Sequence, residues 1–254
     1  RELALMAMLI AYVAPFTLPI RNASATEFLS YYLVVNLVMG VLTTLRPWKV
    51  LNQVGFLITL GIAGGYVLLH ANDTQQDQIA ILVVLHSLLF IWLAFRFSQL
   101  LRKQDLHGFS LQPSLDLGLL FGAPLLAYAC LYLIYFEQTM MQAGLSAGYA
   151  VLYAVLYVLA KQQQQMGWIK QSYLALSLIF AAFIPAIVLP AEWGVMGWAI
   201  LGIAMLVIAL KRESEIGRYI AMALLAIAGG VAAYYFVELS DVPRTVYWIL
   251  AACY

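Results

Sequence analysis

The chain has 254 residues, of which 65% are hydrophobic and 10% charged, with a formal net charge of +1. A soluble domain carries roughly 25% charged residues, so this chain lacks the polar side chains to cover a water-facing surface, and its solvent is lipid. It contains no basic tract for nucleic acid. Cys130 and Cys253 both fall in apolar stretches, which reads as buried small hydrophobes rather than a disulfide or a thiolate metal site.

Ten apolar stretches follow one another, most near the ~20 residues a helix needs to cross the hydrocarbon. Their length and the lack of period-2 alternation exclude strands, and without water only helices satisfy these backbones. Leu3–Ile20 carries Pro15, and Phe28–Leu45 holds Asn36 at mid-span. Val50–Leu69 begins beside Asn52 and Gln53, which sit near a span end and need no special role. Ile79–Leu101 contains His86 and Arg96. Ser114–Tyr135 opens on Pro113-Ser114-Leu115-Asp116, a helix start with Ser114 capping and Asp116 in the first turn, and includes Pro124. Met140–Leu159, Trp168–Leu189 with Pro185, Trp193–Leu210, Tyr219–Val237 and a tenth from Thr245 onward complete the series. The expectation is an all-α polytopic transmembrane helical bundle of about ten spans forming one domain over residues 1–254. Arg at position 1, and an apolar run reaching Tyr254, read as a segment of a longer chain.

Charge orients the series. Arg46, Lys49, Arg102, Lys103, Lys161, Lys211, Arg212 and Arg218 fall in alternate gaps, while the other gaps hold only Arg21 and Arg244. Lys/Arg-rich loops are cytoplasmic, which places the N-terminal end inside. Glu27, Asp73, Asp77, Glu137, Glu192, Glu238 and Asp241 then lie toward a thin, acidic outer face. Short gaps force hairpins between neighbours, the Pro190–Trp193 connection being the tightest. Trp48, Trp168, Trp193 and Trp198 lie near span ends, as interfacial anchors do. The pairs Gly61/Gly65, Gly118/Gly122, Gly144/Gly148 and Gly229/Ala233 have the spacing that lets helices approach closely in lipid.

Chemistry is sparse. Charged residues at membrane depth mark ion sites and substrate paths, and almost none lie there. Arg96 is close enough to a span end to snorkel. His86 is the one titratable residue well inside a span and, beside an outer-face acid such as Glu27, the candidate base for a catalytic role. It has no evident carboxylate or thiol partner, so a hydrogen-bonded packing histidine is the plainer reading. His70 and His107 lie in loops on opposite faces, so no metal site is expected, and no cofactor motif occurs. Tyr149, Tyr153 and Tyr157 recur at a spacing of four on one helix face. With Tyr128 and Tyr132 they could line a site for an apolar or sugar-like ligand, although aromatic packing accounts for the same pattern. Pro15, Pro124 and Pro185 can each kink a span. Asn22-Ala-Ser24 and Asn72-Asp-Thr74 match the N-glycosylation triplet, which carries no meaning in a bacterium.

Several stretches together resemble a family of predicted bacterial membrane proteins, domain of unknown function 2339. They are Glu2-Leu-Ala-Leu-Met, Ala14-Pro15-Phe16, Asn36-Leu37 in the second stretch, Leu120-Phe121-Gly122-Ala-Pro124-Leu125 and Trp198-Ala-Ile-Leu-Gly202. The resemblance covers most of the chain and implies a multi-span architecture in a bacterial inner membrane, without an activity. Where relatives commonly carry Glu before the last glycine, this chain has Leu201.

Three functions stay open. The first is a non-catalytic envelope scaffold or lipid-accommodating component, with membrane lipid and other envelope proteins as partners. The second is a transporter or flippase for an amphipathic substrate. The third is a transferase acting on a lipid-linked group. A cavity reaching His86 and the tyrosine face would favour transport or transfer, and a filled core there would favour the first.

Overall fold

The computed structural model describes residues 2–17, 24–45, 49–65, 75–103, 118–161, 167–211, 213 and 215–238. Among these the regular structure is entirely helical. The helices are α1 (Glu2–Thr17), α2 (Ala25–Leu45), α3 (Lys49–Phe56), α4 (Gln76–Lys103), α5 (Ala123–Ile134), α6 (Thr139–Lys161), α7 (Gly167–Val188), α8 (Ala191–Lys211) and α9 (Glu215–Glu238). Two wider π-helical segments continue this register: Leu57–Ala63 prolongs α3, and Gly118–Gly122 leads into α5.

The expectation of about ten spans is corrected. Among the described residues six helices are long and apolar enough to cross a membrane: Ala25–Leu42, Gln76–Arg96, Thr139–Ala160, Ile169–Val188, Trp193–Lys211 and Gly217–Tyr235. Met6–Pro15, Asn52–Ile62 and Gly118–Ile134 are shorter apolar helical stretches. The first, third and fifth stretches are thus represented by helices shorter than a span among the described residues. The tenth stretch, the Pro113–Asp116 helix start, Asn22 of the first glycosylation triplet and all of the second, His70, His107 and Cys253 lie outside the described residues.

The chain divides into two compact units, Arg1–Phe136 and Glu137–Tyr254. In the first, α2 starts with a reciprocal cap. The Ser24 hydroxyl accepts from the Glu27 N–H at 3.3 Å, and the Glu27 carboxylate accepts from the Ser24 N–H at 3.0 Å. Residue contacts fix helix directions. Gly55, Gly61 and Gly64 on the α3 side meet Tyr12, Leu126 and Cys130 in turn, while Gly118 and Gly122 meet Gln53 and Phe56. The pairs 53/118, 56/122, 61/126 and 64/130 increase together, so α3 and α5 run parallel. Gly40 lies against Leu89, Trp92 and Leu93, where α2 packs on α4. Gln76 at the start of α4 donates to the Ile134 carbonyl at the end of α5, so α4 and α5 are antiparallel. Beside it the Tyr135 hydroxyl donates to Asp77 at 2.9 Å. Burial, and then this carboxylate, hold the Tyr135 phenol above its ordinary pKa, which keeps it a donor.

In the second unit α6 packs on α7, α7 on α8 and α8 on α9. Glycines set the two closest approaches of α8. A Cβ at Gly197 would lie 2.7 Å from Pro185, and one at Gly202 would lie 2.8 Å from Leu225. Both distances are shorter than an ordinary van der Waals contact, so a side chain at either position would force its neighbour to shift, the rigid Pro185 ring or the Leu225 side chain. Val195, Ala199 and Ala228 are buried together, with Trp193, Trp198 and Tyr235 packed around them. The Trp198 indole donates to the Ala182 carbonyl at 2.6 Å, so this tryptophan ties α8 to α7. Gly144 and Gly148 are exposed and a Cβ at either would meet nothing within 4 Å, so that small-residue pair faces away from the α6–α7 packing.

Candidate functional site

A membrane interior pairs its polar groups with one another, so polar groups at depth show where a chain departs from packing alone. The first unit concentrates them. Tyr12 (α1), Asn36 (α2) and Thr59 (the α3 extension) are each at most 1% exposed. The Tyr12 hydroxyl donates to Asn36 Oδ1 at 2.6 Å, and Asn36 Nδ2 donates to Thr59 Oγ1 at 2.9 Å. Tyr32 donates to the Tyr12 carbonyl at 2.6 Å and stacks on its ring at 5.9 Å. Gly55 makes room for this junction, because a Cβ there would lie 2.6 Å from the Tyr12 hydroxyl.

Two ends of this seam lack partners. Asn52 and Gly55 lie one helical turn apart on one face of α3. Asn52 is 1% exposed, and neither its Oδ1 nor its Nδ2 makes a hydrogen bond. The Nε2 of Gln53 is likewise buried and unbonded. Each such group costs about 1–3 kcal/mol when left unsatisfied. At the other end, His86 is fully buried on α4. Its Nδ1 lies 2.8 Å from the Leu82 carbonyl, which can only accept, so the proton sits on Nδ1. Nε2 is then an acceptor, and it makes no hydrogen bond. Phe56 and Phe90 meet edge to face at 6.1 Å, one turn from Asn52 and from His86 respectively.

The structure places the tyrosine candidates differently. Tyr149 and Tyr153 are buried and both stack on Phe180 of α7, at 4.9 Å and 5.9 Å. Tyr153 also meets Tyr173 at 6.0 Å. The face they share is therefore filled by α7 side chains. Tyr157, one turn further along α6, is half-buried. Tyr128 and Tyr132 belong to the first unit, where their rings lie 6.3 Å apart and Tyr132 continues to Phe136 at 6.1 Å. Tyr149 and Tyr153 thus belong to the aromatic packing of the second unit, and Tyr128 and Tyr132 to that of the first.

Sequence reading passed over Asn52 and Gln53. The signal was present in the i, i+3, i+7 pattern Asn52, Gly55, Thr59, a polar and small stripe in an apolar stretch. Among the described residues no group of three or more His, Cys, Asp or Glu side chains could hold a metal ion.

Six span-length apolar helices and a polar interior held by uncharged side chains define an all-α membrane protein. A family described as predicted membrane protein, domain of unknown function 2339, matches residues 1–254, and the chain belongs to it. No curated protein and no solved structure matches the chain.

Proposed function

We propose that the chain is a non-catalytic component of a bacterial inner membrane, its N-terminal end cytoplasmic, that accommodates lipid and assembles envelope partners. The observation that carries this reading is the Tyr149–Phe180–Tyr153 stack, which occupies the face a ligand would need. The outward faces support it. Ile10, Val34, Val41, Val151 and Tyr234 are among many large apolar side chains left exposed on the helices, the surface that lipid tails cover.

Protein extracted from membranes should retain phospholipid through native mass spectrometry in mild detergent, at a defined stoichiometry. A lipid-free species at the same detergent concentration would sink the lipid-accommodating reading.

Orientation rests on the alternation of Lys and Arg between gaps. In a background with Cys130 and Cys253 replaced by Ala, Glu137→Cys should react with an impermeant maleimide in intact cells. Glu213→Cys should react only after the membrane is opened. The reverse pattern would invert the topology.

A further inference from the structure

The filled tyrosine face leaves the first unit as the place where the chain departs from packing. Three consecutive-residue amide atoms there, Asn52 Nδ2, Asn52 Oδ1 and Gln53 Nε2, are buried without partners. Gln53 lies against Gly118, at the start of one π-helical segment, and Asn52 lies one turn before Gly55 on the helix that continues into the other. Such segments are rare and concentrate at functional sites. An apolar residue at position 52 would pack in the same place without an unpaired amide, so stability does not account for asparagine there.

We propose that Asn52 and Gln53 form a closed binding site for a neutral hydroxylated group, the sugar or glycerol moiety of a lipid headgroup or of a free polyol. Asn52 offers an N–H donor and a carbonyl acceptor side by side, with a further N–H donor on the adjacent Gln53, and a hydroxyl both donates and accepts at one atom. Among the described side chains the polar groups continuing the seam are the Tyr12 phenol, the Asn36 amide and the Thr59 hydroxyl, none of them charged, which favours a neutral group. An ionic ligand would enter this apolar interior without a counter-charge from those groups. Aromatic surface for the apolar face of a sugar is supplied by Phe56, one turn along α3. Gln53 packs on Gly118, where a Cβ would lie 3.1 Å from its amide, and this flexible side chain is the part of the site that can move. The proposal rests on the lipid-accommodating reading for its lipid-linked source and stands apart from it for a free polyol.

The test compares melting temperatures of the whole chain in nanodiscs. One set holds phosphatidylethanolamine alone, one adds monoglucosyl diacylglycerol, and one adds glucose or glycerol to the buffer. Wild type should melt about 5 °C higher with a probe at roughly a hundredfold excess over its Kd. A shift with the glucosyl lipid alone identifies a lipid-linked source, and a shift with glucose or glycerol identifies a free one. Asn52→Leu should melt above wild type without any probe and show no shift with one. Gly118→Ala, which presses only on the end of the Gln53 side chain, should weaken the shift and serves as the comparison if Asn52→Leu does not fold. No shift in wild type with any probe means that the amides are merely hydrated, and overturns the site. Equal shifts in wild type and both variants overturn it as well. Native mass spectrometry of the same samples separates the two readings: phospholipid retained without an Asn52-dependent shift removes the site and leaves the lipid-accommodating role intact.

Discussion

Phe180→Ala should destabilise the second unit by about 2–3 kcal/mol, with loss of the α6–α7 contact as its structural consequence. Phe180 is fully buried and touches Tyr149, Tyr153 and Phe183 at ring distances of 4.9, 5.9 and 6.2 Å. In water-soluble proteins Phe→Ala costs about 3–5 kcal/mol, the sum of a transfer part and a cavity part. Here the unfolded reference is a helix in lipid, whose tails are as apolar as the protein interior, so the transfer part largely vanishes. The cavity part remains, because lipid tails cannot fill a hole between α6 and α7 bounded by two tyrosines. Reversible unfolding in mixed micelles measures the loss. A value near 5 kcal/mol would mean that the site is hydrated in the unfolded state, and one below about 0.5 kcal/mol would mean that the stack does not hold α6 to α7. Phe180→Leu keeps most of the volume and should lose less than half as much.

The sequence made some levels of this structure legible and hid others, for identifiable reasons. Helical class followed from composition, since a lipid solvent leaves a long apolar stretch no alternative. The tight α7–α8 connection followed from Pro190, and Val188 and Ala191 bound it. Span count did not follow from hydropathy: Val50–Leu69 reads as one apolar run, whereas the helix described over residues 49–65 opens on Lys49, Asn52 and Gln53 and leaves Asn52–Ile62 as its apolar part. Glycine pairs divided in the same way. Gly118 and Gly122 have the same spacing as Gly144 and Gly148, yet only the first pair meets another helix. Spacing reports what a face permits, and only the neighbour decides its use. Tyrosine periodicity correctly put Tyr149 and Tyr153 on one side of α6, but the residue that fills that side, Phe180, lies on another helix and carries no periodic signal of its own.

Asn36 tests the bonded half of the polar seam as Asn52 tests the unbonded half, and the two should respond with opposite signs. Asn36→Ala removes the acceptor of the Tyr12 hydroxyl and the donor to Thr59. Interhelical hydrogen bonds in membranes average about 0.6 kcal/mol and reach about 1.7, because polar groups of the separated helices find other partners. Two such bonds would then give about 1–3 kcal/mol. The groups left behind decide where in that range the value falls. Thr59 can rotate its hydroxyl to a carbonyl one turn back on its own helix. The Tyr12 phenol has no such recourse: it is rigid, 1% exposed, and faces Gly55. Its orphaned hydroxyl adds to the loss, which should fall near about 2 kcal/mol. Tyr12→Phe alone should cost less, since only the Asn36 carbonyl oxygen is stranded, and the Tyr12→Phe, Asn36→Leu double variant should cost less than the sum of its singles. A double-mutant cycle with no coupling would show that the 2.6 Å bond does not join α1 to α2. Coupling there, together with a gain from Asn52→Leu, would divide the seam into a part that holds the helices together and a part kept despite its cost to stability.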